Sequence, residues 1–180
     1  PDILWVRQEP QLGTGHAVQQ AMPHIDPAGR VLVLYGDVPL IRPESLRELV
    51  LIAADDAVGL LTVKMDDPAG YGRILRDSSG KVRGIVEHRD ASAEELAICE
   101  VNTGILALPA ARLAGWLDRL TNENAQGEYY LTDIIAMAAA DGVRILPCHP
   151  GAEWEVMGVN SRQQLAELER RVQALHAEAL

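Results

Sequence analysis

Seven residues combine a strand end, a tight turn and a carboxylate: Leu34-Tyr35-Gly36-Asp37-Val38-Pro39-Leu40. They follow the apolar run Val31-Leu32-Val33-Leu34, which reads as a buried strand, and Pro39 forbids ladder pairing beyond it. In an open α/β sheet, ligands bind at the carboxyl ends of strands. An Asp placed there can hold a metal ion or a sugar hydroxyl, or it can merely cap the turn before Pro39. The motif alone leaves both open.

Other segments carry similar pairs of readings. Two glycines within three residues of Gln11-Leu12-Gly13-Thr14-Gly15-His16 let backbone N–H groups approach a ligand, and a following helix favours negative charge at its start. The stretch is neither Gly-x-Gly-x-x-Gly nor a P-loop, so a plain strand-to-helix turn is the alternative. Gly70-Tyr71-Gly72-Arg73 suits a bulge, or a ligand ring laid against the Gly72 backbone. Glu87, at the end of a strand run, can bind a vicinal diol or stand exposed. Asn102 sits inside the apolar stretch Ile98 to Leu108, where a buried amide must bond neighbouring backbone or face a cavity. Ala125 to Asp133 places two of the four tyrosines before a helix, as a pocket wall or as helix entry. Asn160, in Gly158-Val159-Asn160-Ser161, offers an amide oxygen to a hard cation or a cap to the helix behind it.

The elements that must position these groups alternate. Strands are expected at Ile3 to Val6, Val31 to Tyr35, Val58 to Val63, Gly72 to Leu75, Val82 to Val86, Val101 to Leu108 and Arg144 to Pro147. Helices are expected at His16 to Met22, Pro43 to Ala54, Pro109 to Leu120, Leu131 to Asp141 and Ser161 to Leu180. Pro43 and Pro109 suit a first helical turn, and Ser161 with Gln164 has capping-box spacing. The alternation predicts an α/β fold with a mixed, mostly parallel sheet covered on both faces. Asp77-Ser78-Ser79-Gly80 predicts a hairpin within it. Leu165, Leu168, Val172 and Leu175 form a packing stripe on the last helix.

Composition narrows the function. With 16 basic and 26 acidic side chains the net charge is −10, and no Lys/Arg cluster forms the basic face a nucleic-acid binder needs. A nucleotide can still be held, with help from a cation or from backbone N–H groups. No apolar run of about 18 residues is present, so no membrane helix is expected. Cys99 and Cys148 form no Cys-x-x-Cys pair and read as reduced core thiols of a cytoplasmic protein. Pro1 leads almost at once into an apparent mid-domain strand, so the chain reads as a fragment whose beginning is missing.

Taken in order, Gln8, Gln11 to His16, Leu34 to Leu40, Gly70 to Ile74, Gly84 to His88, Val101 to Ile105, Asn124 to Asp133 and Gly158 to Asn160 carry a resemblance. The chain resembles the uridyltransferase domain of bacterial bifunctional N-acetylglucosamine-1-phosphate uridyltransferase/glucosamine-1-phosphate acetyltransferases. The resemblance implies a Rossmann-like three-layer nucleotidyltransferase fold, incomplete at its N-terminus. It implies a partial sugar-nucleotidyltransferase domain over residues 1–160, and a helix over 161–180 leading toward a left-handed β-helix acetyltransferase domain. It implies uridine contacts from Gln8, Gly13 and Thr14, and places Tyr35, Gly36 and Asp37 around the nucleotide sugar. Gly72, Glu87 and Asn102 would contact N-acetylglucosamine, and Asp37 and Asn160 would be the catalytic pair that binds Mg²⁺.

The implied reaction joins UTP and N-acetylglucosamine 1-phosphate into UDP-N-acetylglucosamine and pyrophosphate, for cell-wall precursor synthesis, with a homotrimer expected only of the full-length protein. Another sugar 1-phosphate, or a non-catalytic nucleotide-sugar-binding module, are the alternatives. The family's Gly-x-Gly-Thr-Arg-Met loop and Pro-Lys do not occur in this sequence, and Arg73 is the only cationic residue in the matched motifs apart from histidines. Weak UTP binding and low turnover are therefore expected of this chain alone.

Overall fold

Two long strands set the frame because their residues alternate between two cores. In the computed structural model, which describes residues 3–54 and 56–178, β1 spans Arg30–Val33, β2 Val58–Lys64, β3 Arg73–Arg76, β4 Val82–Val86, β5 Glu100–Pro109 and β6 Ile145–Cys148. Leu60 and Leu106 point into one core, and Leu61 and Ala107 into the other. That period of two, with both faces apolar, is what a sheet covered on both sides requires.

The helices are α1 (Thr14–Ala21), α2 (Pro43–Ile52), α3 (Ala93–Leu96), α4 (Ala110–Leu117), α5 (Asp133–Ala140) and α6 (Arg162–Glu178). Trp116 of α4 and Ile134 and Ile135 of α5 pack on the first face, and Leu49 of α2, with Ala53 just past its end, on the second. The three-layer α/β expectation holds. Pro43 does open α2, whereas Pro109 ends β5 and stands just before α4. The short α3 escaped sequence reading, although Ser92 and Glu95 close a capping box around its start. The expected end of α6 at Leu180 lies outside the described residues.

The sheet is mixed, but the expectation that it is mostly parallel is corrected. The path runs β4-β3-β5-β2-β6, with β1 also paired to β5. Among the described residues only β2 and β6 pair in parallel, and the other pairings are antiparallel. Strand-helix-strand alternation did give β1 and β2 the same direction. It could not show that β5 inserts between them and runs against both. The hairpin of β3 and β4 is as expected, with Asp77 Oδ1 accepting from the Ser79 and Lys81 amides in its turn.

Ile3 to Val6 are the second correction. They form no strand and are exposed, Trp5 at 87%. A β-prone apolar run becomes a strand only when a neighbour takes its N–H and C=O groups, and no described strand does so. Of the two cysteines, both free, Cys148 is buried as expected, but Cys99 is exposed and is no core residue. Among the described residues no helix is long and apolar enough to cross a membrane.

Candidate active site

One edge of β5 is shared by two strands, and the space between them is the site. The C-terminal half of β5 pairs with β1, the last rung joining Val33 and Leu106. The N-terminal part meets β3 at Val101, and the Asn102 amide donates to Gly72 O at 2.9 Å. Neither strand pairs with residues 103–105. On the opposite edge β5 bulges against β2 between Leu60 and Thr62, and Thr103 Oγ1 donates to Leu61 O at 2.8 Å. Gly104 in this bulge has φ +81°, and a Cβ there would lie 2.1 Å from Tyr35 Cε2. Only glycine lets the Tyr35 ring rest on that backbone.

The resulting cavity has a volume of about 470 Å³. It brings together Thr14, Tyr35, Asp37, Gly72, Glu87, Asn102 and Asn160, seven of the residues singled out in the sequence and drawn from six separate segments. Gln8, Gly13 and Gly36 do not line it. Gln8 Nε2 donates to Gly13 O at 3.0 Å and lies 3.0 Å from His16 Nδ1, so this side chain closes its own loop. That loop is tied to the tyrosine segment, since Tyr129 N donates to Leu12 O and Gly15 N to Tyr129 O, both at 2.8 Å. Thr14 Oγ1 accepts from Leu131 N at 3.0 Å.

Asp37 and Asn160 meet across Gly158. A Cβ at Gly158 would lie 3.6 Å from Asp37 Oδ2 and 3.8 Å from Asn160 Nδ2, so the absent side chain leaves the space between them open. Val159 N donates to Asp37 O at 2.8 Å and holds the two turns together. Neither side chain is engaged in capping. The Asp37 carboxylate accepts from no described residue, and the turn is closed by Val38 N on Tyr35 O. The start of α6 is capped by Ser161 Oγ, which accepts from Gln164 N at 3.2 Å. Two oxygen-bearing groups flanking an open space fit a hard divalent cation that takes its other ligands from phosphate and water.

At the other end of the cavity, Glu87 Oε1 accepts from Thr132 Oγ1 at 2.7 Å, and Asn102 Oδ1 from Gly104 N at 3.0 Å. Asn102 itself lines the cavity. Tyr35 stands between the two ends. Burial, then the charges of Glu87 and Asp37, raise its phenol above the usual range. Thr132, Gly104 and Gly158 are among the lining groups that sequence reading did not assign to the site. A glycine inside an apolar strand run was the available signal for Gly104.

Among the described residues, the cavity is lined by three carboxylates, Asp37, Glu87 and Glu128, and by no Lys, Arg or His. Arg73 does not help: it is 2% exposed, donates to Tyr71 O, and its Nε has no partner among the described residues. Such a lining suits hydroxyls and a cation, and it receives phosphate only through that cation or a group supplied from elsewhere. A larger cleft of about 640 Å³ lies between β4, α5 and β6. Its alanines and scattered surface charges converge on no point, so chemistry rather than size identifies the site.

Behind Glu87, Asp133 opens α5. Burial, then the Glu87 and Asp90 carboxylates, push its pKa up to about 6. The helix N-terminus favours the charged form by only about 0.3–1 kcal/mol, and burial outweighs it. The folded chain therefore holds this proton more tightly than the unfolded chain, whose Asp titrates near pH 4. Stability from this group is complete below about pH 4 and is lost as pH rises through about 6. Two pH units correspond to about 3 kcal/mol at full burial, and partial solvent screening brings the expected figure to about 1–2 kcal/mol. Asp133→Asn should stabilise the protein by that amount at pH 7.5 and by nothing at pH 4. Urea unfolding at both pH values checks it, and a pH-independent gain would refute the assignment.

The sequence model of the nucleotidyl transferase family matches residues 2–162, and the chain belongs to that family. At finer grain, it is 61% identical over 180 residues to the bifunctional protein GlmU of Cellvibrio japonicus (strain Ueda107), covering 100% of this chain and 40% of that protein. It is 58% identical over 180 residues to the GlmU of Burkholderia multivorans (strain ATCC 17616 / 249), with the same coverage. Over 179 residues it is 60% identical to the GlmU of Paracidovorax citrulli (strain AAC00-1), covering 99% of this chain and 38% of that protein. The chain thus spans about 40% of the length of these curated relatives.

Proposed function

We propose that the chain provides the sugar and metal side of a uridylyltransferase site. In that reading, UTP and N-acetylglucosamine 1-phosphate give UDP-N-acetylglucosamine and pyrophosphate. The observation that carries it is the division of one cavity between Asp37 and Asn160 at one end and Glu87 and Asn102 at the other. A bound Mg²⁺ would supply charge neutralisation between two anionic reactants.

The protein's own groups do the rest. Asp37 and Asn160 would hold the metal through carboxylate and amide oxygens. Glu87, oriented by Thr132, would accept sugar hydroxyls, and the Asn102 amide would donate to the sugar or its acetyl group. Tyr35, pinned on Gly104, would form the wall between sugar and nucleotide, and the loop from Gln8 to Thr14 would take the uridine. The sugar phosphate attacks the α-phosphorus of UTP and pyrophosphate leaves, so no side-chain nucleophile is required.

The lack of a cationic lining residue among the described residues favours a second reading for the chain by itself: it binds the nucleotide sugar without turning it over appreciably. Calorimetry with UDP-N-acetylglucosamine and UDP-glucose in Mg²⁺, beside a pyrophosphate-release assay, separates the cases. Binding at least tenfold tighter for the amino sugar, with or without turnover, is the expected result. Equal affinity for both sugars would refute the amino-sugar assignment.

A further inference from the structure

We infer that Glu155 is a positioning residue whose buried carboxyl locks the turn carrying Asn160 onto the turn carrying Asp37. The inference rests on the cation reading of that pair. Glu155 is fully buried at 0% exposure, yet it joins no described ion pair. Its oxygens are used separately. Oε2 accepts from Ser45 Oγ at 2.6 Å, and Oε1 from Ala152 N at 3.0 Å. A buried carboxyl without a counter-ion is costly, and an apolar residue would fill the same space more cheaply. The adjacent Val156, only 2% exposed, is such a residue. The acid at 155 therefore does something that packing does not need.

What it does is visible in the segments it joins. Ser45 lies in the first turn of α2, eight residues after Asp37, and Glu155 lies five residues before Asn160. The bond from Ser45 to Glu155 and the bond from Val159 N to Asp37 O are thus two rungs between the same two segments. A third contact joins them, with the Arg42 guanidinium 4.7 Å from the centre of the Trp154 ring. Arg171 of α6 lies 5.7 Å from the same ring and ties the last helix to the clamp. With both segments fixed, the Asp37 carboxylate and the Asn160 amide face one space at Gly158 before any cation arrives. That is preorganisation of a site by its supporting shell.

Two substitutions in the full chain test this. Ser45→Ala removes the buried rung without opening a large cavity. Glu155→Gln keeps its shape, since the amide oxygen can accept from Ala152 N while the NH₂ donates to Ser45 Oγ. Amide hydrogen exchange of Val159 and Mn²⁺-induced broadening of the Asp37 and Asn160 NMR signals are read for each. Ser45→Ala should speed Val159 exchange at least tenfold and raise the half-broadening Mn²⁺ concentration about tenfold, while Glu155→Gln stays within about threefold of the parent. Unchanged Val159 exchange and Mn²⁺ response in Ser45→Ala would overturn the inference. So would an equal acceleration of Val159 and the core amide of Val101, which marks global destabilisation. If Mn²⁺ fails to broaden these signals in the parent protein, the cation reading falls, and local loss of Val159 protection still supports the clamp.

Discussion

On the proposed function, Asp37→Asn should abolish tight divalent-cation binding and lower uridylyl transfer about 10²–10³-fold, with the unfolding midpoint unchanged. The size follows from the role. Removing one charged group that stabilises transition-state charge costs about 3–4 kcal/mol, and each 1.36 kcal/mol is tenfold in rate. The specificity follows from the structure. The Asp37 carboxylate is exposed and bonds to no described residue, while its backbone oxygen carries the rung to Val159 N. Asn keeps that rung and loses only the negative charge. Turnover measured against Mg²⁺ concentration, together with Mn²⁺ electron paramagnetic resonance on the protein alone, separates metal binding from chemistry. Unchanged Mn²⁺ affinity would remove Asp37 from the metal site. A large drop in stability would mean that the residue is structural.

Much of this site was legible because its chemistry is local in sequence. Pro39 and Gly36 mark the end of the strand before Asp37, and Asp77 to Gly80 mark a hairpin, since turn residues act within a few positions of themselves. Asn102 could be singled out because an amide in an apolar run needs a partner, and it finds one two residues away at Gly104 N. What was illegible depends on partners remote in sequence. The insertion of β5 between β1 and β2 is fixed by pairing across tens of residues, and no local pattern encodes it. The run Ile3 to Val6 has strand composition but no described strand beside it. Thr132 was read only as part of a helix entry, and its task on Glu87 is set by a contact across 45 positions. The buried Glu155 likewise meets Ser45 across 110 positions.

Gly104→Ala should destabilise the protein by about 2–4 kcal/mol and weaken UDP-N-acetylglucosamine binding at least tenfold, although it adds one methyl group. Two costs combine. At φ +81° an alanine is strained by about 1 kcal/mol relative to glycine. Its Cβ would also lie 2.1 Å from Tyr35 Cε2 and 2.8 Å from Cδ2 and Cζ, so the ring must leave its seat, and overpacking of this kind costs about 1–3 kcal/mol. A flexible side-chain end could swing aside cheaply, but Tyr35 is held between the Asp37 turn and the bulge of β5, and its ring forms the wall of the cavity. Displacing it damages the site at its centre while Asp37 and Asn160 keep their rung. Gly36→Ala is the matching control. A Cβ at Gly36 meets nothing within 4 Å, and its backbone lies outside the left-handed region, so stability should change by less than about 0.5 kcal/mol. Urea unfolding and calorimetric titration of both variants decide the matter. Equal effects at the two glycines would mean that the motif tolerates or rejects a methyl group regardless of geometry, and that the Tyr35 seat on Gly104 does not organise the pocket.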